Sequence, residues 1–317
     1  MSKTAFLFPG QGAQAVGMGQ AFYNEFQEAR DIFGMADDIT EGRTSRLCFD
    51  GPMEELTRTA NLQPAITAVN LAIFASLEKM GGATFDVCCG HSLGEYSALV
   101  AAGVLTSVDA LALVARRGEL MDAQAQAHEG AMAAAMRMSM ADVVALCDEI
   151  RQDGAPFYKG VWPANHNADG QIVVSGDPES VSTFAAEAKK RKGRAIPLKV
   201  SGAWHSPLIE GAVVPFADEL EKAAFAIPNK EVIFNVTANG EKEPSAMRGH
   251  MARQLVSPVR WHDTMGRLVE MGVTRFVEIG PGKVLSGIAK KYPGGKEFEV
   301  LNVSTLEEFE VCLKALG

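Results

Sequence analysis

The sequence predicts an α/β protein: a mostly parallel sheet core with an inserted ferredoxin-like α+β subdomain. Strand-type apolar runs alternate with helix-type segments towards both ends of the chain, as a doubly wound sheet covered on both faces requires. Between residues 129 and 199 the texture changes to β-α-β-β-α-β, the split ferredoxin-like order. Of the 317 residues, 47% are hydrophobic and 22% charged, the composition of a globular chain with a substantial core and not of a disordered one. The expected division is a large catalytic subdomain over 1–128 and 200–317, with the small one over 129–199.

A net charge of −9 argues against nucleic acid or an anionic membrane as the main partner. The five cysteines (Cys48, Cys88, Cys89, Cys147 and Cys312) are odd in number and lack C-x-x-C spacing, so they read as reduced thiols. Cys88 and Cys89 lie in an apolar strand, where cysteine acts as a small hydrophobe. The N-terminal apolar run is too short for a signal peptide and no segment reaches membrane-spanning length, so a cytoplasmic protein is expected, and a monomer.

Thr4 to Phe8 reads as a buried strand closed by Pro9-Gly10-Gln11-Gly12. Gly10, Gly12 and Ala15 formally satisfy G-x-G-x-x-A, but a dinucleotide site needs a second strand ending in an acidic residue about 20 positions later. Residues 20–40 are polar and helix-like instead. The turn therefore either only reverses the chain or presents backbone N–H groups to an active site. A short helix starts at Met53, and Gln63-Pro64 lead into a longer one, AITAVNLAIFASLEKM, ended by Gly81-Gly82.

Residues 84–103, TFDVCCGHSLGEYSALVAAG, carry the strongest local signal. A strand, G-x-S-x-G and a small-residue helix follow one another, the context of a nucleophile elbow. Gly90 and Gly94 would lack a Cβ where strand and helix nearly touch, and the helix N-terminus behind Ser92 offers N–H groups to a developing oxyanion. The plain alternative is a tight turn with a bystander serine. Thr106 to Asp109 resembles a capping box opening a helix toward Ala123. On that helix Arg117 falls in the apolar stripe of Leu113, Val114, Leu120 and Met121, whereas Arg116 points away and reaches Glu119. A guanidinium in an apolar stripe needs an anionic partner, supplied by an internal salt bridge or by a ligand, unless it snorkels to solvent.

The subdomain comprises strand AMAAAMRM, helix ADVVALCDEIRQ, strands YKGVWPANHN and QIVVSG, helix ESVSTFAAEAKKRKG and strand RAIPLKV. Its basic run, Lys189 to Arg194, is either a solvated helix end or a docking patch for an acidic protein. Next, Ser206 can cap and Pro207 start a helix to Phe225, which leaves His205 in a strand-to-helix loop. Strand–helix runs then return: VIFNVTANG, RGHMARQLVSPVRW and TRFVEIGPGKVL.

A serine needs a base. Of six histidines, His128 and His166 lie in polar turns and His250 lies beside arginines, while His262 has a plausible loop position. His91 adjoins the nucleophile, but its side chain should leave the turn in another direction, in a supporting position. His205 is the best placed. No Asp stands out as a third member, so a dyad is expected, with the histidine oriented by a backbone carbonyl. No His/Cys/carboxylate cluster has metal-ligand spacing, and no metal is expected.

Together these stretches resemble malonyl-CoA:acyl carrier protein transacylases and the acyltransferase domains of polyketide synthases. The likeness runs nearly end to end: FPGQGAQ at 8–14, GHSLGEYSAL at 90–99, RRGELM at 116–121, GAWHSPL at 202–208, RQLVSPVRW at 253–261 and EIGPGKVL at 278–285. The resemblance implies a hydrolase-like α/β core. It makes Ser92 the nucleophile and His205 its base, with Gln11 and Leu93 backbone N–H groups as the oxyanion hole. It sets Arg117 on the malonyl carboxylate and Gln254 behind the histidine through its carbonyl. Asn165 and Asn167 match an asparagine pair near the cleft. Leu93 matches malonyl users, and Trp204 stands where they commonly have Phe, still bulky enough to crowd an α-substituent.

The implied reaction is ping-pong transfer from malonyl-CoA, through a malonyl-serine, to the phosphopantetheine thiol of an acyl carrier protein in fatty acid biosynthesis. No cofactor is expected, since malonyl-CoA is a substrate and the phosphopantetheine belongs to the carrier. The alternatives are a serine thioesterase or esterase, a transferase serving a polyketide synthase or malonate decarboxylase carrier, and a non-catalytic carrier-docking module.

Overall fold

In β1 (Lys3–Phe8), Phe6 and Phe8 join one core cluster while Ala5 and Leu7 join another, so this strand sits inside a sheet covered on both faces. The computed structural model describes residues 3–151 and 156–317. Five helices follow before the chain re-enters the sheet: α1 (Gln20–Glu25), α2 (Gln27–Thr40), α3 (Arg43–Phe49), α4 (Met53–Leu56) and α5 (Thr59–Lys79). The next elements are β2 (Val87–Gly90), α6 (Gly94–Ala101) and α7 (Ser107–Ala127). The Thr106 side chain accepts from the Asp109 N–H and caps α7.

β3 (Ala131–Met136), β4 (Val161–Ala168), β5 (Gln171–Gly176) and β6 (Arg194–Pro197) form a second, antiparallel sheet, with α8 (Met140–Ile150) after β3 and α9 (Pro178–Lys190) after β5. Its order, β4-β5-β3-β6, places the unit's first strand between its third and fourth, which is the ferredoxin-like arrangement. The strand expected over RAIPLKV stops at Pro197, after which only the Leu198 N–H still donates to β3, at the Met132 carbonyl (2.9 Å). At the end of α9, Lys190 pairs with Glu187 and Arg191 with Glu149, so part of the basic run is neutralised within the subdomain.

The chain then adds α10 (Val213–Lys222), β7 (Glu231–Phe234), β8 (Asn239–Gly240), α11 (Pro244–Gln254), α12 (Trp261–Glu270), β9 (Val273–Ile279), α13 (Val284–Ala289), β10 (Glu299–Val303) and α14 (Leu306–Leu316). The large sheet runs β10-β9-β1-β2-β7-β8 and is parallel except for β8 at its edge. Stacked Phe6 and Phe85 (ring centroids 4.5 Å apart) with Phe74 edge-on tie β1 to α5. Each such pair adds roughly 0.5–1.5 kcal/mol beyond the area it buries. All five cysteines are buried and free, and burial raises the Cys88 and Cys89 thiols.

Two helices differ from expectation. α5 starts at Thr59 and carries Pro64 inside it, because Leu62 and Gln63 are buried against the core. At 21 residues it is long and apolar enough to cross a membrane, contrary to the expectation that no segment reaches that length. Most of it is buried within the fold, so its apolarity is that of a core helix. The single helix expected from Pro207 to Phe225 is instead a 3₁₀ segment, Pro207–Ala212, broken at Ile209 (φ −108°), followed by α10.

Candidate active site

The loops after β1, β2, β7 and β9 gather at the carboxyl edge of the parallel sheet, where ligands bind in such folds. Ser92 lies between β2 and α6 at φ +50°, a left-handed conformation that costs a non-glycine residue energy. A Cβ on Gly90 would stand 1.9 Å from the Gly94 carbonyl carbon, and one on Gly94 would stand 2.0 Å from the Phe8 oxygen. Backbone cannot yield there, so both positions require glycine.

Ser92 Oγ is 2.8 Å from His205 Nε2, and His205 Nδ1 is 2.8 Å from the Gln254 carbonyl oxygen. A carbonyl only accepts, so Nδ1 carries the proton and Nε2 is free to accept from the serine. Burial first, and then the Arg117 cation, push the His205 pKa down to about 3, against the pull of the Gln254 carbonyl. The imidazole is therefore neutral at ordinary pH.

Arg117 is fully buried. Its Nη1 donates to Gln63 Oε1 (2.9 Å), and its Nη2 to Gln254 Oε1 (2.9 Å) and Ser92 Oγ (3.4 Å). Nε has no partner, and among the described residues no carboxylate forms a salt bridge with the guanidinium. This is a buried cation aimed at the nucleophile with no carboxylate in direct contact, which is costly unless a ligand supplies one.

Three residues that the sequence did not single out complete the network. Gln63 holds Arg117. Asn235, directly after β7, accepts from the Ser92 N–H (2.6 Å) and donates to the Gly90 carbonyl (2.7 Å). Glu95, on α6, accepts from the Asn235 N–H (2.5 Å) and from Gln254 Nε2. Burial pushes the Glu95 carboxyl up to about 8, opposed by those two donors and by Arg117. Gln254 thus supports His205 by its carbonyl, as the resemblance implied, and also binds Arg117, Glu95 and the Ser92 carbonyl by its side chain. A lone polar residue at the carboxyl end of a buried strand, or in a helix otherwise apolar on all sides, was the available signal for Asn235 and Glu95.

The Pro9–Gly12 turn packs on the elbow: a Cβ on Gly10 would stand 2.5 Å from the His91 oxygen and 3.5 Å from the Leu93 nitrogen. Among the described residues, neither the Gln11 nor the Leu93 N–H donates to a protein acceptor, whereas the Ser92 N–H is occupied by Asn235. No helix starts directly behind the turn, since α1 begins at Gln20, which removes the dinucleotide arrangement. Asn70 donates to the Pro9 carbonyl (3.0 Å), and Gly280 packs against Asn70 and Pro9, clamping the turn. Gln11 and Trp204 both line a cavity of about 620 Å³ with Arg58, Leu62, Lys199 and Ser201.

His91 Nε2 meets Asn167 Oδ1 at 2.8 Å and its ring lies against Trp261, so it leaves the turn away from Ser92. Asn165 is buried and bridges to Val259 through its backbone. His262, the other candidate base, lies instead beside His166 and Asp169. His166 and Asp169, three residues apart, and His262 from a distant helix bring ligating atoms within 4.8 Å of one another, a grouping that the sequence spacing did not suggest.

The acyl transferase domain family model matches residues 5–302. The chain is 42% identical over 318 residues to a malonyl CoA-acyl carrier protein transacylase of Bacillus subtilis (strain 168), covering 100% of this chain and 98% of that relative. It matches the crystal structure of a malonyl-CoA:acyl carrier protein transacylase from Xanthomonas oryzae pv. oryzae with a TM-score of 0.94 and 36% identity, over 100% of this chain and 99% of the other. A malonyl-transacylase solved in complex with its type II PKS acyl-carrier protein matches with a TM-score of 0.93 and 35% identity, over 99% and 100% of the two chains. With a serine–histidine pair at the carboxyl edge of its sheet and full-length likeness of this kind, the chain belongs to the acyl transferase domain family, among malonyl CoA-acyl carrier protein transacylases.

Proposed function

We propose that this enzyme transfers malonyl from malonyl-CoA to the phosphopantetheine thiol of an acyl carrier protein through an ester on Ser92. The observation that carries the choice of acyl group is Arg117, a buried guanidinium 3.4 Å from Ser92 Oγ with no carboxylate partner of its own. A malonyl ester on Ser92 would hold its free carboxylate about 4–5 Å from Oγ by ordinary bond lengths, within reach of the guanidinium.

In the first half-reaction Ser92 Oγ attacks the thioester carbonyl as His205 Nε2 takes its proton. The free N–H groups of Gln11 and Leu93 are positioned to bind the oxyanion, and losing such a donor typically costs roughly 3–4 kcal/mol of barrier. The tetrahedral species collapses, the C–S bond breaks, and the CoA sulfur leaves with the proton held by His205. In the second half-reaction the carrier thiol gives its proton to His205 and attacks the ester. Ser92 leaves and recovers that proton. The carboxylate that pairs with Arg117 also offsets the charge that depresses His205, so substrate binding makes the base stronger.

A serine hydrolase would share the elbow and the histidine but has no use for an unpaired buried Arg117. Incubation with malonyl-CoA alone separates the two. Release of CoA should stop near one equivalent per chain and resume on adding holo carrier protein. Continuous hydrolysis at the same rate with and without carrier would overturn the proposal.

A further inference from the structure

Away from Ser92, His166 on β4, Asp169 in the turn to β5, and His262 in the first turn of α12 face one another. The two imidazole ring centroids are 4.6 Å apart, and His262 Nε2 is 3.7 Å from Asp169 Oδ1. We propose that these three side chains bind one divalent transition-metal ion of the zinc class, joining the small antiparallel sheet to a helix of the large one.

Two imidazoles and a carboxylate are a donor set that borderline cations such as Zn²⁺ accept, leaving the remaining position to water. Donors at about 2.0–2.2 Å from a tetrahedral ion lie roughly 3.3–3.6 Å from one another. The 4.8 Å spread therefore closes with modest side-chain rotation, and the exposed Asp169 is free to make it. The neutral imidazole is the ligating form. Competing thiolate sites are absent among the described residues, because every cysteine is buried and unpaired with another ligand group. The placement has a structural consequence. β4 also carries Asn167, the hydrogen-bond partner of His91 beside the nucleophile, and Asn165, which bridges to Val259 just before α12. An ion at this point would clamp the strand that supports the back of the elbow.

The test is calorimetric titration of the EDTA-treated, dialysed full-length protein with Zn²⁺, paired with thermal unfolding with and without the ion. The site predicts one Zn²⁺ per chain and a rise in Tm that saturates with binding. His166→Ala and His262→Ala should each weaken binding at least tenfold and abolish the Tm rise, while His262→Gln, which preserves size, should do the same without lowering the metal-free Tm. Absence of saturable binding, or binding of the same stoichiometry and affinity in the His166→Ala/His262→Ala double variant, would overturn the proposal.

Discussion

Replacing Arg117 by alanine removes the one group that separates malonyl from uncharged acyl donors. Hydrogen bonds to a charged group contribute roughly 1.5–3 kcal/mol each, so a bidentate carboxylate pair is worth about 3–6 kcal/mol. At 1.36 kcal/mol per factor of ten, that is roughly 10²- to 10⁴-fold in kcat/KM for malonyl-CoA. One effect opposes the loss: the Arg117 cation depresses the His205 pKa, so its removal strengthens the base. The net loss should sit near the lower end of the range, with acetyl-CoA unchanged or improved. Arg117→Lys keeps the charge without the planar fork and should fall between. The assay is single-turnover acylation of Ser92 by each acyl-CoA, followed by intact-protein mass. Because Gln63 and Gln254 lose a partner, stability should fall by about 1–3 kcal/mol and is measured separately. A variant that keeps the parent's malonyl-over-acetyl ratio within about threefold would refute the assignment of Arg117, since the predicted change exceeds that many times over.

Four further outcomes follow. With His205 held near 3, kcat/KM with malonyl-CoA should stay level as pH falls from 8 through 6.5, and a drop centred near 6.5 would show an ordinary, charged imidazole instead. The same depression means that the neutral buried His205 contributes stability above pH 6.5, lost as pH falls toward 3, and Arg117→Ala should shorten this acid limb, so that less stability is lost on acidification. Glu95 has the opposite sign: its carboxyl, raised from 4.5 to about 8, holds a proton in the folded state that the unfolded chain releases, so stability drains as pH rises through that window. Urea unfolding of Glu95→Gln should therefore show its deficit against the parent narrowing between pH 5.5 and 8, and a constant gap would refute the raised value. Gly94→Ala drives a Cβ against the Phe8 carbonyl and should cost about 3 kcal/mol or more, read as a lowered urea midpoint together with lost acylation, whereas near-parent values would mean that β1 and α6 can separate.

The elbow was legible because its constraint is local: glycines at 90 and 94 answer to backbone atoms only a few residues or one neighbouring strand away. The α/β alternation and the ferredoxin-like order were legible for the same reason, since strand and helix periods are properties of short windows. Pro64 misled, because a proline usually opens a helix, yet burial of Leu62 and Gln63 outweighed the one backbone hydrogen bond it removes. The break at Ile209 left no such mark in its composition. Gln63 was not legible, and Glu95 and Asn235 showed only as lone polar residues, because the role of each comes from partners brought in from distant parts of the chain. The same holds for His166 and His262, whose approach depends on α12 packing against β4.

The central claim is that Ser92 carries a malonyl group between two thiols. Intact-protein and peptide mass spectrometry after mixing with malonyl-CoA, followed by a chase with holo acyl carrier protein, tests it directly. One malonyl group should appear on the peptide containing Ser92, be missing in Ser92→Ala, and pass to the carrier in the chase. Unmodified Ser92 throughout, with malonyl still reaching the carrier, would contradict it.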